Sequence, residues 1–224
     1  MVLLGDLFEG HGPSPRELLN ALGALSAPLG VFGVPGNHDI RGGGAGTLPF
    51  DQVGIRVLRN RWSEVRPGLV LVGLDDLPGG RGGGNGGEAI DRAFAGRPPG
   101  ACILLEHRPL LAERAASAGA NLMLSGHTHG GQIWPFGYLS RLVYPLLDGE
   151  YEVNGMKVIV SRGTGTWGPR MRLWRPGQIL RVRLRAPGPP GIPSGSDGAW
   201  RVRFSRLHVT RAGGERRETG CTIS

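Results

Sequence analysis

The sequence predicts an α/β fold, and three observations indicate it. Short apolar segments alternate along the chain with segments of helical periodicity. The first three elements are a strand, a helix and a strand, the repeating unit of such folds. Hydrophobic residues make up 39% of the 224 residues, which is enough for one sizeable core, so one main domain is the simplest expectation.

The opening strand–helix–strand unit is the clearest part of the pattern. Residues 1–4 are apolar and predict a strand. A helix follows over 14–26, with Ser14 as the candidate N-cap and Glu17 as its capping-box partner. The next apolar segment stops at Pro35, where a proline ends strand pairing.

The rest of the main domain continues the alternation. Further strands are predicted within residues 55–60, 62–66, 69–76, 101–107, 121–127, 151–163 and 179–185, and helices within 88–96 and 109–119. Asn154-Gly155 predicts a tight hairpin turn inside one of these segments. The Gly-rich segment 77–87 is interpreted as a loop and not as a phosphate cradle, because no Lys-Ser/Thr pair follows it.

A composition change near residue 186 predicts the domain boundary. Residues 1–186 form the main domain, and residues 187–224 form a tail rich in Pro, Gly and Arg. We expect this tail to be poorly ordered, with at most one isolated strand over 200–209.

Charge and cysteine content limit the classes of function. The net charge is +8, with arginine concentrated toward the end of the chain. A solvated basic surface is the simplest interpretation, and binding to phospholipid head groups or nucleic acid is the alternative. Nucleic acid is the weaker partner, because only Trp200 and Phe204 in the tail offer bases a stacking surface. Two cysteines, Cys102 and Cys221, suit neither a disulfide framework nor a zinc cluster.

Polar side chains with metal-binding chemistry follow several predicted strands. They are Asp6, Asn37, His38, His107, His127 and His129. A single histidine in a loop is usually only a polar loop residue, but the joint pattern is hard to explain that way. We expect the strand ends to meet at one edge of one parallel sheet. Imidazole with carboxylate suits Zn, Fe, Mn or Ni.

In order and combination these motifs resemble the calcineurin-like metallophosphoesterases. The motifs are GD, GNHD, a later His and GHTH, and the resemblance covers residues 1–185. The segments SGHTHGGQIWPFG and RGTGTWGPRMRLWRPGQI are most similar to one branch, the bacterial membrane-associated phosphoesterases and the vertebrate transmembrane protein with a metallophosphoesterase domain. The resemblance implies a sandwich of two mixed sheets flanked by helices.

The resemblance also implies roles for the residues. Asp6 bridges two divalent metals, and Asn37, His107 and His127 complete the second metal site. His129 belongs to the first metal site. His38 stands beside the scissile phosphate, and Asp39 orients it. We add Arg170 as a candidate phosphate contact.

The family begins with a strand ending in Asp-x-His, which supplies further ligands of the first metal. That strand is missing before Met1, so we expect a longer native form that includes it. His11 is a poor substitute because it follows Asp6, and Glu9 is not assigned to the metal. On this count the second metal site is complete and the first is partial.

These features give a leading hypothesis and an alternative. The leading hypothesis is a metal-dependent phosphoric ester hydrolase that cleaves a phosphodiester or pyrophosphate bond with a metal-bridging hydroxide. Some relatives of the branch cleave UDP-2,3-diacylglucosamine in lipid A synthesis, so a lipid-linked substrate is one expectation. The alternative is a catalytically impaired module that binds one metal ion.

Location and aromatic content add two more expectations. No apolar segment approaches the ~20 residues of a membrane span, and no export signal is visible, so a cytoplasmic or peripheral membrane location is expected.

Trp134 and Phe136 follow the GHTH turn. Core packing is the usual fate of such aromatics, and flanking a substrate pocket is the alternative.

Overall fold

A computed structural model describes residues 1–8, 16–40, 50–76 and 86–185, and the backbone of 201–208 and 219–220. The predicted N-cap Ser14, His11, Glu9 and the loop over 77–85 lie outside these residues. The helices are α1 (Arg16–Gly23), α2 (Asn37–Ile40), α3 (Gly86–Phe94), α4 (Ala112–Ser117) and α5 (Gly137–Val143), with 3-10 turns at Asp51–Val53 and His129–Gly131.

Twelve strands form three sheets in the described part of the chain. They are β1 (Val2–Leu3), β2 (Phe32–Gly33), β3 (Arg56–Val57), β4 (Arg61–Arg66), β5 (Leu69–Gly73), β6 (Ala101–Leu105), β7 (Leu122–Ser125), β8 (Gly149–Val153), β9 (Met156–Val160), β10 (Gln178–Arg185), β11 (Arg201–His208) and β12 (Thr219–Gly220). The first sheet has the order β1-β2-β3 and is parallel. The second has the order β4-β5-β6-β7-β9-β8 and is mixed.

The two sheets pack face to face, as the predicted sandwich requires. Side chains of a strand alternate between its two faces, so each strand of the larger sheet contributes to two cores. Val70 and Val72 of β5 pack with α3 and α4, whereas Leu71 packs toward the smaller sheet, where it joins Phe32 of β2. Helix α1 covers the other face of the smaller sheet through Leu22. The layers are therefore helix, sheet, sheet, helix.

The C-terminal part of the chain differs from its prediction. Strand β10 alternates half-buried and exposed residues after the buried Gln178, as predicted for 179–185. The segment after it was predicted to hold at most one isolated strand. Instead β11 pairs antiparallel with β10 along its whole length, and β12 pairs with β11. Side-chain alternation describes the two faces of β10 and does not show which strand pairs with its edge. The backbone groups at that edge can pair with another strand, and this pairing was not predicted.

Two helices were not predicted at all. Helix α2 covers the GNHD motif itself, and α5 lies within the WPFGYLSRLVYP segment. The hairpin turn was predicted correctly, because Asn154 and Gly155 both have positive φ, 48° and 80°. In the described part of the chain, no helix has the length and apolar content that crossing a bilayer would require.

Candidate metal centre

The predicted ligands come from the ends of two sheets, not from one. Asp6 follows β1 and Asn37 follows β2 in the smaller sheet, whereas His107 follows β6 and His127 follows β7 in the larger one. The expectation of a single sheet edge was therefore wrong. The sandwich brings both sets of strand ends together, since the Asp6 carboxylate lies 3.0 Å from the Nε2 atom of His107.

Three side chains converge closely enough to share one cation. Ligand atoms of Asp6, His107 and His127 all lie within 4.8 Å of one another. The Nε2 atom of His107 is 3.1 Å from the Nδ1 atom of His127. One carboxylate and two imidazoles form a donor set that suits a divalent transition metal.

A hydrogen bond at one nitrogen of each ring orients the imidazoles of His107 and His127. The Nδ1 atom of His107 lies 2.6 Å from the carbonyl oxygen of Leu4, so Nδ1–H donates there and Nε2 faces Asp6. The Nε2 atom of His127 lies 2.8 Å from the hydroxyl of Tyr144, which leaves Nδ1 facing His107. Partners of this kind fix the tautomer and ring orientation of metal-binding histidines.

Asn37 provides the strongest sign that the site suits a metal. Its Oδ1 atom is buried, and within the described part of the chain it has no hydrogen-bond partner. A buried amide oxygen without a donor is costly, and a bound cation would satisfy it. The residues present therefore fit a divalent metal, and the place of Asn37 beside Asp6, His107 and His127 in the ligand set stays a prediction.

Electrostatics keep Asp6 and His127 in the forms that bind metal. Burial lowers the pKa of His107, but its contacts with Asp6 and Leu4 outweigh the effect of burial, so the net shift is upward. Burial raises the pKa of Asp6, but the hydrogen bond and charge of His107 outweigh it, so the net shift is downward. Burial, and then the charge of His107, lowers the pKa of His127 to about 3. Asp6 is therefore ionised and His127 neutral at pH 7, as metal binding requires.

Asp39 shapes the backbone of the site. Its carboxylate accepts hydrogen bonds from the backbone N–H groups of Asp6, Leu7, Phe8 and Gly36, at 2.7 to 3.0 Å. We had predicted that Asp39 orients His38. That role stays a prediction. Both carboxylate oxygens bind the loops after β1 and β2, so that Asp39 holds Asp6 in place.

Two glycines allow these loops to approach each other. Gly5 has a φ of +87°, and a Cβ atom built there would lie 2.5 Å from the backbone nitrogen of Gly36. A Cβ atom on Gly36 would in turn lie 2.5 Å from the backbone nitrogen of Asp6. Asp6 itself has a φ of 54°, an uncommon conformation that the surrounding contacts impose.

His129 lies outside the group of three converging residues. Its Nδ1 atom is 3.1 Å from the Nη2 atom of Arg172, so a neutral ring accepts a hydrogen bond there. Burial and then the charge of Arg172 lower the pKa of His129 to about 4. The role of His129 in a first metal site stays a prediction.

The two remaining predicted residues have fewer described contacts. His38 is half-buried, and its backbone N–H donates to the Asp6 carboxylate at 2.8 Å. Arg170 is exposed. The roles assigned to both side chains stay predictions.

Sequence reasoning missed two residues at the site, Tyr144 and Arg172. Tyr144 follows α5, a helix that was not predicted, so nothing in the sequence pointed to it. Arg172 lies two positions after the candidate Arg170, and it also donates to the carbonyl oxygens of Arg162 and Arg175 at 2.8 and 3.2 Å. Residue type alone does not distinguish these two arginines.

Comparisons with known proteins agree with this geometry. Residues 1–131, more than half of the chain, match the sequence profile of the calcineurin-like phosphoesterases. A protein of Aquifex aeolicus, named as an uncharacterized metallophosphoesterase, is 36% identical over 195 residues, covering 84% of this chain and 73% of the relative.

Two further relatives are longer. An uncharacterized metallophosphoesterase of Campylobacter jejuni is 30% identical over 83% of this chain and 50% of its own length. A transmembrane protein with metallophosphoesterase domain from Bos taurus is 32% identical over 83% of this chain and 45% of its own length. The chain thus spans about half the length of these two relatives. No solved structure matches it.

Proposed function

The chain belongs to the calcineurin-like phosphoesterase family, and on this premise we propose that it hydrolyses a phosphodiester or pyrophosphate bond with the help of divalent metal. The observation that carries the proposal is the convergence of Asp6, His107 and His127, and it is supported by the buried oxygen of Asn37, which has no hydrogen-bond partner among the described residues. When bound, a divalent ion supplies Lewis-acid polarisation of a phosphoryl oxygen and a nucleophilic hydroxide near neutral pH.

The chain's own residues have distinct tasks in this proposal. Asp6, Asn37, His107 and His127 hold the metal, and Asp39 fixes the loop that carries Asp6. His38 lies one residue after Asn37 and next to Asp6, which supports a role for its imidazole in protonating the leaving oxygen. Leu4 and Tyr144 orient the two histidines.

The finer parts of the proposal concern the metal and the substrate. Mn, Fe, Zn or Ni suits a donor set of imidazole, amide and carboxylate. We propose a phosphorylated small molecule or a lipid-linked diphosphate such as UDP-2,3-diacylglucosamine, and a peripheral membrane location. Support for the lipid comes from the resemblance of the motifs and from a relative that is named as a transmembrane protein.

Reconstitution with metal tests the proposal. The chain is stripped with a chelator and assayed with bis-p-nitrophenyl phosphate, with and without added Mn²⁺, Zn²⁺ or Ni²⁺. We expect hydrolysis only when metal is present and its loss on renewed chelation. If a chain extended by an upstream Asp-x-His strand also gives no metal-dependent turnover, the enzymatic function is refuted.

A second candidate is a module that binds one metal and does not catalyse. One observation favours it. The Arg172 guanidinium donates a hydrogen bond to the Nδ1 atom of His129, a predicted ligand of the first metal. This alternative predicts one tightly bound ion per chain by elemental analysis and no hydrolysis. Two bound ions together with turnover would exclude it.

A further inference from the structure

Two segments beside the metal centre expose large apolar side chains to solvent. They are 134–143, which contains α5, and 164–174. The apolar surface is defined by six exposed members of the two segments: Trp134, Leu139, Leu142, Trp167, Met171 and Trp174. Leu142 is 74% exposed and Trp174 is 72% exposed. Scattered exposed residues of this kind are ordinary, but a cluster of them usually marks an interaction site.

Hydrogen bonds join the two segments into one surface. The buried side chain of Gln132 donates to the carbonyl oxygen of Trp167 and accepts from its N–H, both at 2.7 Å. The backbones meet where Ile133 pairs with Leu173 in an isolated bridge. The rings of Trp134 and Trp174 lie 5.2 Å apart between centroids. The apolar side chains are therefore held outward by a fixed framework.

Helix α5 contributes exposed apolar side chains without packing any residue into the core. None of its residues is buried. Leu139, Leu142 and Val143 are spaced three and four residues apart, which places them on one face, and all three are exposed. A helix with such a stripe normally packs it against the protein.

The sequence around both segments carries charges of one sign, apart from Asp148, which pairs with Arg175. Residues 126–147 and 162–177 contain no Asp or Glu. The same ranges contain several arginines, of which Arg141 and Arg170 are exposed. Tryptophan and tyrosine beside arginine and exposed leucine are the composition of surfaces that lie in the interface of a bilayer with anionic lipids.

We propose that the apolar surface docks on the anionic surface of a lipid bilayer. Leu139, Leu142, Trp134 and Trp174 enter the boundary between head groups and acyl chains, and Arg141 and Arg170 pair with the lipid phosphates. A second copy of this chain is a poorer occupant, because the like charges of two such surfaces would face each other.

Docking brings the metal centre to the lipid surface. Tyr144, directly after α5, contacts His127 at 2.8 Å between the hydroxyl and Nε2. At the other end of the helix, Gly137 packs against Gly131, where a Cβ atom on Gly131 would lie 2.7 Å from the Gly137 nitrogen. The inference stands on the surface alone and does not require the proposed hydrolysis.

Vesicle flotation tests the docking. The chain is mixed with vesicles of phosphatidylcholine alone or with 30% phosphatidylglycerol, and the bound fraction is measured at low and high salt. We expect binding to the anionic vesicles that weakens with salt and is lower on neutral ones. The double variant Leu139→Gln/Leu142→Gln should bind about tenfold or more weakly, because two apolar side chains leave the interface.

Control variants replace exposed residues elsewhere. Leu29 is 48% exposed and lies outside both segments, so Leu29→Gln should bind like the unchanged chain. Arg141→Gln/Arg170→Gln should weaken binding to anionic vesicles only, whereas Arg66→Gln should not. Brominated acyl chains should quench tryptophan fluorescence in the unchanged chain and less in the Leu139/Leu142 variant.

Three results would overturn the proposal. One is equal vesicle binding by the unchanged chain and the Leu139/Leu142 variant. Another is the absence of binding to either kind of vesicle. The third is a stable dimer by light scattering that the Leu139/Leu142 variant dissociates, because the occupant would then be a second copy. Circular dichroism of each variant confirms that it is folded.

Discussion

The metal centre and the apolar surface lie side by side but are built in opposite ways. In the metal centre, Asp39 and His107 are buried and Asp6 and His127 are half-buried, and these polar groups have hydrogen-bond partners, as the four N–H groups bound by Asp39 illustrate. On the apolar surface, side chains that normally form a core face solvent. The difference indicates that the polar groups of the first region find most of their partners among the described residues, whereas the second region presents an apolar surface that the described part of the chain does not cover.

The largest effect is expected at Asp39. Replacing Asp39 with Ala removes the acceptor of four backbone N–H groups, each worth about 1 kcal/mol, so the free energy of unfolding should fall by about 4 kcal/mol. Urea unfolding followed by circular dichroism measures this change. Asp91→Asn, at an exposed position of α3, serves as the control. A loss no larger than that of the control would contradict the role given to Asp39.

A change at Asp6 tests the metal centre itself. Asp6→Asn keeps the size of the side chain but removes the negative charge that faces His107 and the metal. We expect metal-dependent kcat/KM to fall at least about a hundredfold, and metal affinity to fall with it. Assays with bis-p-nitrophenyl phosphate and metal titrations provide the two measurements. Undiminished turnover in Asp6→Asn, with Asp91→Asn as reference, would remove Asp6 from the site.

Gln132 tests whether the apolar surface has a fixed framework. Gln132→Leu removes three hydrogen bonds to Trp167 and Pro169, and should lower the free energy of unfolding by about 2 kcal/mol. Amide exchange at Trp167 should become faster, whereas exchange in the core strand β6 should change only with global stability. Unchanged exchange at Trp167 would show that the side chain of Gln132 does not join the two segments.

The smallest effect is expected on the apolar surface. Leu142→Ala should change the free energy of unfolding by less than about 0.5 kcal/mol, because its side chain is already in water. Leu104→Ala, at a fully buried position of β6, should cost about 2–5 kcal/mol. Parallel urea titrations compare the two leucines. A large cost at Leu142 would mean that the chain covers this leucine itself.

The sequence predicted the metal centre better than the apolar surface, for a physical reason. Asp6, His107 and His127 have the chemistry of ligands and follow apolar strands, and both signals are local. That they come from two sheets depends on how the sheets pack, which no local pattern encodes. No helix was predicted at the GNHD motif, yet Asn37–Ile40 form α2, because four residues are too few to show helical periodicity.

The apolar surface could not be predicted, because apolar residue types usually mean burial. Trp134 and Phe136 were expected in the core or beside a substrate pocket, and both are exposed. The core interpretation was wrong, since other side chains already fill the two faces of the larger sheet. Exposure is set by the space left after packing, and that is a property of the whole fold.

The contact between Gly5 and Gly36 limits how this site can be redesigned. Any side chain at either position would collide with backbone atoms, which cannot move aside by changing rotamer as a side chain can. Directed-evolution libraries therefore gain nothing by randomising these two codons, and diversity is better placed at His38 or Arg170. Anyone transplanting Asp6, His107 and His127 to another scaffold would need to carry both glycines along, because the two loops approach this closely only where neither glycine position has a side chain.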